Sequence, residues 1–314
     1  MLSPQEPERR WAGVVPREGH GRRLDQLLAA LVPDLTRAQA QRLIREGLCL
    51  VEGRPGQSSD RPPAGTMISV TLRAPHTDVA AEATPLDILF EDDVIIALNK
   101  PAGMAVHPAR GTPTGTLLNA LMGHLGPEAR PSLVHRLDRD TSGALLAAKT
   151  PQAHHGLRRQ MEARQLRRTY WALVWGVVTP AEGVIQATLA RARGDKTRMT
   201  VCPRGKEAVT HYRRLQILLV EGESVSLVEA RLETGRTHQI RVHFEWIGHP
   251  LVGERVYRGA RATRTATDGA FPGQALHSRR LEFLHPVSGH AMGVEAPLPE
   301  AFARFVTIGD AEGC

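Results

Sequence analysis

Residues 136–140, Arg-Leu-Asp-Arg-Asp, set two carboxylates and two guanidiniums within five positions. An ionised carboxylate can serve as a nucleophile or as a base, and a cation beside it favours the charged form. The charged run lies inside His135-Arg136-Leu137-Asp138-Arg139-Asp140-Thr141-Ser142-Gly143. Leu133 and Val134 lead into it, and the apolar residues 144–148 lead away. Asp, Thr, Ser and Gly are turn formers, so the pattern predicts strand, tight polar loop, strand. On spacing alone, a surface turn laced by local Asp–Arg pairs explains the same residues, and in an arbitrary sequence that is the commoner case.

Other chemistries find little support. Cys49, Cys202 and Cys314 lie far apart with no C-x-x-C pair, which argues against a disulfide framework and a cysteine zinc site. Fourteen histidines are present without an H-E-x-x-H spacing. His243-Phe244-Glu245 matches the H-x-E half of a zinc nucleoside deaminase, but its P-C-x-x-C partner is missing, so that reading is rejected. There is no Walker loop and no dinucleotide fingerprint. No metal and no cofactor are expected.

The net charge is +7, and it is unevenly spread. Residues 158–206 hold eleven Lys and Arg against three Asp and Glu, a local balance of +8. Such a concentration suits a polyanion partner, with a solvated basic face as the plainer alternative. Within it Arg191, Arg193, Lys196 and Arg198 crowd around Gly194-Asp195, the pattern of a basic hairpin tip. Aromatics make up 4%, too few for a platform on which bases stack. Apolar runs are short, so no membrane span is expected, and the N-terminus MLSPQEPERRW lacks the apolar core of a signal peptide. The expected compartment is the cytoplasm.

The elements that must position these residues follow from periodicity. Residues 1–20 are polar and contain proline, and are expected to be disordered or extended. Leu24, Leu27, Leu28 and Leu31 fall at i, i+3, i+4 and i+7, an amphipathic helix broken at Pro33. Thr36 is a good N-cap for a second helix ending at Gly47. On that helix Arg37, Gln41 and Arg45 share a polar face, while Ala40, Leu43 and Ile44 face a core. Strands follow at 48–51 and 67–72, so a small domain spans 21–73. Residues 74–84 lack periodicity and suit a linker. Beyond residue 85 strands are expected at 87–91, 94–99, 145–149, 170–178, 209–219 and 225–232, with helices at 116–125 and 152–164. The mixed order predicts an α+β fold around a mainly antiparallel sheet at 85–306, followed by a tail at 307–314.

The run HRLDRDTSG resembles the signature loop of the RluA-type pseudouridine synthases. Further stretches fit the same family. They are Asn99-Lys100-Pro101-Ala102-Gly103 with Val106-His107-Pro108, Arg168-Thr169-Tyr170 (where Lys is more usual at 168), LETGRTHQIRVHFEWIGHPLVG at 232–253, and QALHSRRLEFLHP at 274–286. Residues 22–72 resemble the S-four-type RNA-binding domain, with Glu52 and Thr66 where Asn and Asp are usual. The passage HPARGTPTGTLLNALMGHL leans toward the branch that modifies large-subunit ribosomal RNA.

The resemblance implies an isomerase that breaks the N1–C1′ bond of uridine, turns the base and rejoins it through C5. It implies Asp138, not Asp140, as the catalytic carboxylate, Tyr170 over the uracil ring, and Arg236 as the cation on Asp138, with Arg241 second choice. It implies that Arg136 fills the place vacated by the extruded base. RNA contacts are expected from Arg136, Arg241, the face Arg37, Gln41 and Arg45, and the hairpin residues Arg191, Arg193, Lys196 and Arg198. The expected partner is structured RNA, 23S ribosomal RNA or the large-subunit precursor, met by a monomer. The alternatives are the same chemistry on transfer RNA and a catalytically silent ribosome-assembly factor.

Overall fold

The computed structural model describes residues 9–33, 35–72, 79–109, 111–126, 129–195, 197–220, 222–258, 271 and 273–311. The chain divides into two compact units, Met1–Asp78 and Val79–Cys314.

The first unit runs β1 (Arg9–Val14), α1 (Leu24–Leu31), α2 (Arg37–Arg45), β2 (Cys49–Val51), β3 (Arg54–Pro55) and β4 (Met67–Leu72). Its sheet has the order β1-β4-β2-β3, all antiparallel. Leu24, Leu27 and Leu28 of α1 and Ala40, Leu43 and Ile44 of α2 bury against Ile68 and Val70 of β4. Thr36 caps α2 as expected: its Oγ1 accepts from the Gln39 backbone N–H, and the Gln39 side chain accepts from the Thr36 N–H at 2.8 Å.

Two expectations are refined here. Residues 9–14 are extended, one of the two states expected of them, but they join the sheet of the domain expected to begin at 21. They pair along β4 from Arg9↔Leu72 to Val14↔Met67, with Trp11 against the core. The polar face of α2 is also only partly free. Asp25 is fully buried and accepts from Arg23 Nε at 3.0 Å, Arg37 Nε at 3.0 Å and Gln41 Nε2 at 2.6 Å. Burial opposes the Asp25 charge, but these bonds outweigh it and hold the carboxyl well below the usual range. Gln41 is thereby committed inside the domain, whereas Arg45 is exposed and Arg37 keeps half its side chain in solvent.

The second unit runs β5 (Ile88–Glu91), β6 (Ile95–Lys100), α3 (Leu117–Leu125), β7 (Ser132–Leu133), β8 (Ser142–Ala148), α4 (Pro151–Glu162), β9 (Arg167–Trp175), β10 (Glu182–Arg191), β11 (Met199–Val201), β12 (Lys206–Val220), β13 (Glu223–Leu232), α5 (Gln239–Trp246), β14 (Leu276–Leu284), β15 (Ala291–Glu295) and α6 (Glu300–Ala311). One sheet has the order β11-β10-β12-β13-β9-β14-β8-β6-β5, with β15 on β14 and β7 on β8. Its pairs are antiparallel except β14 with β8.

Alternation along β6 and β8 explains their unbroken apolar sequences. Ile96, Leu98, Leu145 and Ala147 point to one face and pack with Leu117 and Leu121 of α3 and Ile240 and Phe244 of α5. Ile95, Ala97, Leu146 and Ala148 point to the other and pack with Ala153 and Leu157 of α4. Strands covered on both faces have no polar side to show.

The expected linker does not behave as one over its described part. The Gly115 N–H donates to the Glu82 carboxylate at 3.0 Å, and Asn119 Nδ2 donates to Ala80 O at 2.8 Å, fastening residues 80–82 to the start of α3. The expected tail boundary at 306 falls inside α6, whose Phe302 is buried with Leu218 and Val220. Among the described residues no helix is long and apolar enough to cross a membrane.

His135, His243 and His277 are buried in this unit, and burial pulls their pKa values down to about 3, 4 and 4. Unfolded histidine titrates near 6.5, so below that pH the unfolded chain takes up protons that the folded chain refuses. Stability is thus unaffected above pH ~6.5 and falls below it, by about 1.4 kcal/mol per pH unit for each histidine. The expected result is a steep drop in urea midpoint between pH 7 and 5. A flat profile would mean these rings are protonated in the folded state.

Candidate active site

The loop between β7 and β8 alternates in and out. His135 and Leu137 are buried, Arg136 is exposed, and Asp138 keeps 17% of its side chain accessible. Leu137 anchors the loop in the core of α3 and α5, and His135 Nε2 accepts the Leu146 N–H at 3.2 Å. The far side is held by Lys100, fully buried at the end of β6. Its Nζ donates to the carbonyls of Pro101 at 2.7 Å, Met104 at 2.9 Å and Arg139 at 2.9 Å, while burial lowers its pKa to about 8. Where β8 starts, Gly143 has φ +105°, and a Cβ there would lie 2.3 Å from Ser278 O. Only glycine lets β8 and β14 run side by side at that point.

Asp138 lines a pocket together with Arg136, Arg168, Tyr170, Arg236, His238 and Arg241. Asp140 does not line it; its Cβ side packs where a Cβ on Gly273 would come within 2.4 Å. Tyr170, on β9, is 4% exposed, and burial raises its phenol pKa although its hydroxyl bonds Ser278. Arg168, two residues earlier, is also buried and its Nε has no hydrogen-bond partner. Gly235 leaves room for that guanidinium, since a Cβ there would sit 2.6 Å from Nη1.

The cation on Asp138 is Arg241, not Arg236. Arg241 Nη1 donates to Asp138 Oδ2 at 3.0 Å, while its Nε and Nη2 grip Glu254 at 2.6 and 2.8 Å. Only 7% of its side chain is exposed, so an RNA contact by Arg241 is confined to the pocket it lines. Burial works against the Arg241 charge, but Glu254 and then Asp138 more than restore it and push its pKa up. Glu254, 1% exposed, is held below the usual carboxylate range by Arg241 in spite of its burial. Arg236 is exposed at the pocket rim, and its Nε donates to Glu207 O at 3.0 Å. The cause is helix geometry. Residue 241 lies one turn after His238 on α5 and turns to the same side, whereas Arg236 precedes the helix.

Gln239 holds the turn before α5 in place. Its Oε1 accepts from Arg236 N–H and Thr234 Oγ1, and its Nε2 donates to Val209 O and Thr210 Oγ1. Sequence reading missed Glu254, His238 and Tyr257 as parts of the site. Glu254 follows directly on the motif ending LVG, where a carboxylate near so many arginines was a usable signal. The basic hairpin is present: β10 and β11 pair from Leu189↔Val201 to Arg191↔Met199, with Arg191, Arg193 and Arg198 exposed. Lys196 lies outside the described residues.

Comparison with known proteins meets this geometry. Residues 94–246 match the family described as RNA pseudouridylate synthase, and 22–68 match the S4 domain. The "Ribosomal large subunit pseudouridine synthase D" of Neisseria meningitidis serogroup B is 41% identical, covering 98% of this chain and 84% of that protein. The chain belongs to the RNA pseudouridylate synthase family. An "Uncharacterized RNA pseudouridine synthase" of Chloroflexus aurantiacus is 46% identical over 91% of this chain and 89% of its own length. Among solved structures, "Human RNA Pseudouridylate Synthase Domain Containing 1" superposes with a TM-score of 0.58 at 27% identity, over 70% of this chain and 86% of that one. The synthase is thus an isomerase of uridines in RNA, carrying an S4 RNA-binding domain ahead of its mainly antiparallel synthase fold.

Proposed function

We propose that this synthase isomerises uridines of large-subunit ribosomal RNA and that Asp138 is its reacting carboxylate. The observation that carries the second part is the pairing of Asp138 with a buried arginine at the mouth of a pocket that also holds Tyr170. The first part is supported by near-full-length relatives named for the ribosomal large subunit.

In this reading the target uridine leaves its helical stack, at a cost of a few kcal/mol, and exposed Arg136 takes the vacated place. Tyr170 packs against the uracil. The Asp138 carboxylate then attacks C1′ or takes a sugar proton, and both routes need it ionised. Arg241 holds one oxygen, so the carboxylate meets the sugar in a fixed orientation. The N1–C1′ bond breaks and the ring turns; C5 then bonds to C1′ as the Asp138–C1′ bond breaks or, in the other route, as the sugar proton is returned, and the C5 proton leaves while N1 takes one up. Arg236 sits at the rim, where RNA passes. The enzyme acts as a single chain, in the compartment where ribosomes are built. Tritium release from C5-labelled transcripts tests the substrate class. Large-subunit ribosomal RNA should turn over, and transfer RNA should not; the reverse order would reassign the substrate.

The hairpin tip supports a grip on phosphates, which positions RNA without reading sequence. Replacing Arg191, Arg193, Lys196 and Arg198 by Ala should flatten the salt dependence of RNA affinity by up to about 3.6 in log–log slope, since each duplex phosphate contact contributes about 0.9. All RNAs should weaken about equally. Unchanged slopes would mark the tip as a solvated surface only.

A further inference from the structure

His238 and Tyr257 connect Asp138 to the basic hairpin. His238 stands just before α5 with φ +56°, a left-handed conformation that turns its ring into the pocket. Its Nε2 lies 3.8 Å from Asp138 Oδ1, opposite the oxygen that Arg241 holds. Its Nδ1 lies 2.7 Å from Tyr257 Oη. That same Oη accepts the backbone N–H of Met199, the first residue of β11, at 2.9 Å.

These contacts fix a tautomer. Tyr257 is 1% exposed, and its hydroxyl hydrogen has one acceptor among the described residues, Nδ1 of His238. A buried donor left unmade costs about 1–3 kcal/mol, so the hydroxyl donates there. A neutral imidazole has one donor and one acceptor nitrogen, which puts its proton on Nε2, facing Asp138. The groups around the ring are Asp138, Arg241, Glu254, Arg136 and Tyr257. Burial, with Arg241 and Arg136, outweighs the two carboxylates and keeps the ring neutral by lowering its pKa.

We propose that His238 is a positioning residue, locked by Tyr257 in its Nε2–H form so that it steadies Oδ1 of Asp138 while Arg241 holds Oδ2. This rests on Asp138 being the reacting carboxylate. At 3.8 Å the contact is longer than a hydrogen bond, as catalytic contacts often are before substrate binds. The tautomer is set by the hairpin, because Tyr257 is tied to the backbone of β11 and its ring carries the guanidiniums of Arg241, 5.0 Å away, and Arg198, 5.5 Å away. The strand that follows the RNA-gripping turn therefore also braces the carboxylate.

Nitrogen NMR of the full chain labelled in histidine reads the tautomer, with His238→Gln identifying the resonance. The expected wild-type signature is a bare Nδ1 and a protonated Nε2, and Tyr257→Phe should yield a mixture. At saturating large-subunit RNA, His238→Ala should lower turnover about 10²-fold and Tyr257→Phe about tenfold, the cost of a misplaced group. KM should stay within about threefold. In His238→Gln the amide nitrogen reaches the place of Nε2, so turnover should recover to within about tenfold of wild type; packing alone would make Gln no better than Ala.

A ring protonated on Nδ1 in the wild type overturns the proposal, and so does full turnover in His238→Ala. The spectra of wild type and Tyr257→Phe decide it even if His238→Ala does not fold. Asp138→Asn assayed alongside separates the two readings. Turnover there removes the role of Asp138 and this one with it, whereas a dead Asp138→Asn beside a fully active His238→Ala removes only the role of His238.

Discussion

Asp138→Asn is expected to lose turnover by about 10⁴-fold or more, measured as tritium released from a C5-labelled transcript, while the melting temperature barely moves. Asparagine keeps the shape of the side chain but can neither attack nor take a proton. Arg241 retains both bonds to Glu254 in this variant, so no buried cation is stranded. Asp140→Asn is the control. Asp140 lies beside Gly273 and contributes to the field at Lys100, outside the pocket lining, so its loss should cost less than about tenfold. Equal losses in the two variants would contradict the assignment.

Arg241→Met should fail differently, losing both turnover and stability. Breaking a buried ion pair by removing one partner typically costs about 3–5 kcal/mol. Among the described residues Glu254 would be left with the backbone N–H groups of Val256 at 2.8 Å and Tyr257 at 3.4 Å. The sign with pH follows from the shift. In the wild type Arg241 holds the Glu254 pKa down, so this pair stabilises the fold above the unfolded value of about 4.3 and stops doing so as pH falls through the folded value. Without Arg241, burial dominates and Glu254 prefers its protonated form. The gap in unfolding free energy between wild type and variant should therefore be wide at pH 8 and close as pH drops below about 5. Adding Glu254→Gln should recover much of the stability at pH 8 and none of the turnover. A gap independent of pH would mean that Glu254 is not the stranded charge.

The contrast between these variants shows what sequence could and could not reveal. The signature loop and its flanking strands were legible because turn formers and apolar runs alternate cleanly from 133 to 148. The helices of the first unit were legible from leucine spacing and the Thr36 cap. Helix α5 was missed although Ile240, Phe244 and Ile247 fall at i, i+4 and i+7 and all pack in the core. With no helix read there, nothing in the residues opposed the ranking that the resemblance implied, Arg236 ahead of Arg241. Strand β1 escaped because it opens with Arg9 and Arg10 and Trp11 is its main core contact, so no apolar alternation announces it. The bonds from Gln41 and Arg37 to Asp25 join residues 12 and 16 positions apart on separate helices, which a single helical wheel does not bring together.

The central claim is that this synthase converts specific uridines of large-subunit ribosomal RNA through Asp138. It is tested most directly by mapping pseudouridines, through carbodiimide adducts and primer extension, in ribosomal RNA from a strain lacking the gene. The map should be repeated after restoring either the wild-type chain or Asp138→Asn. The account predicts sites in large-subunit RNA that vanish on deletion, return with the wild type and stay absent with Asp138→Asn. Sites restored by Asp138→Asn, or a large-subunit map unchanged by deletion, would contradict it.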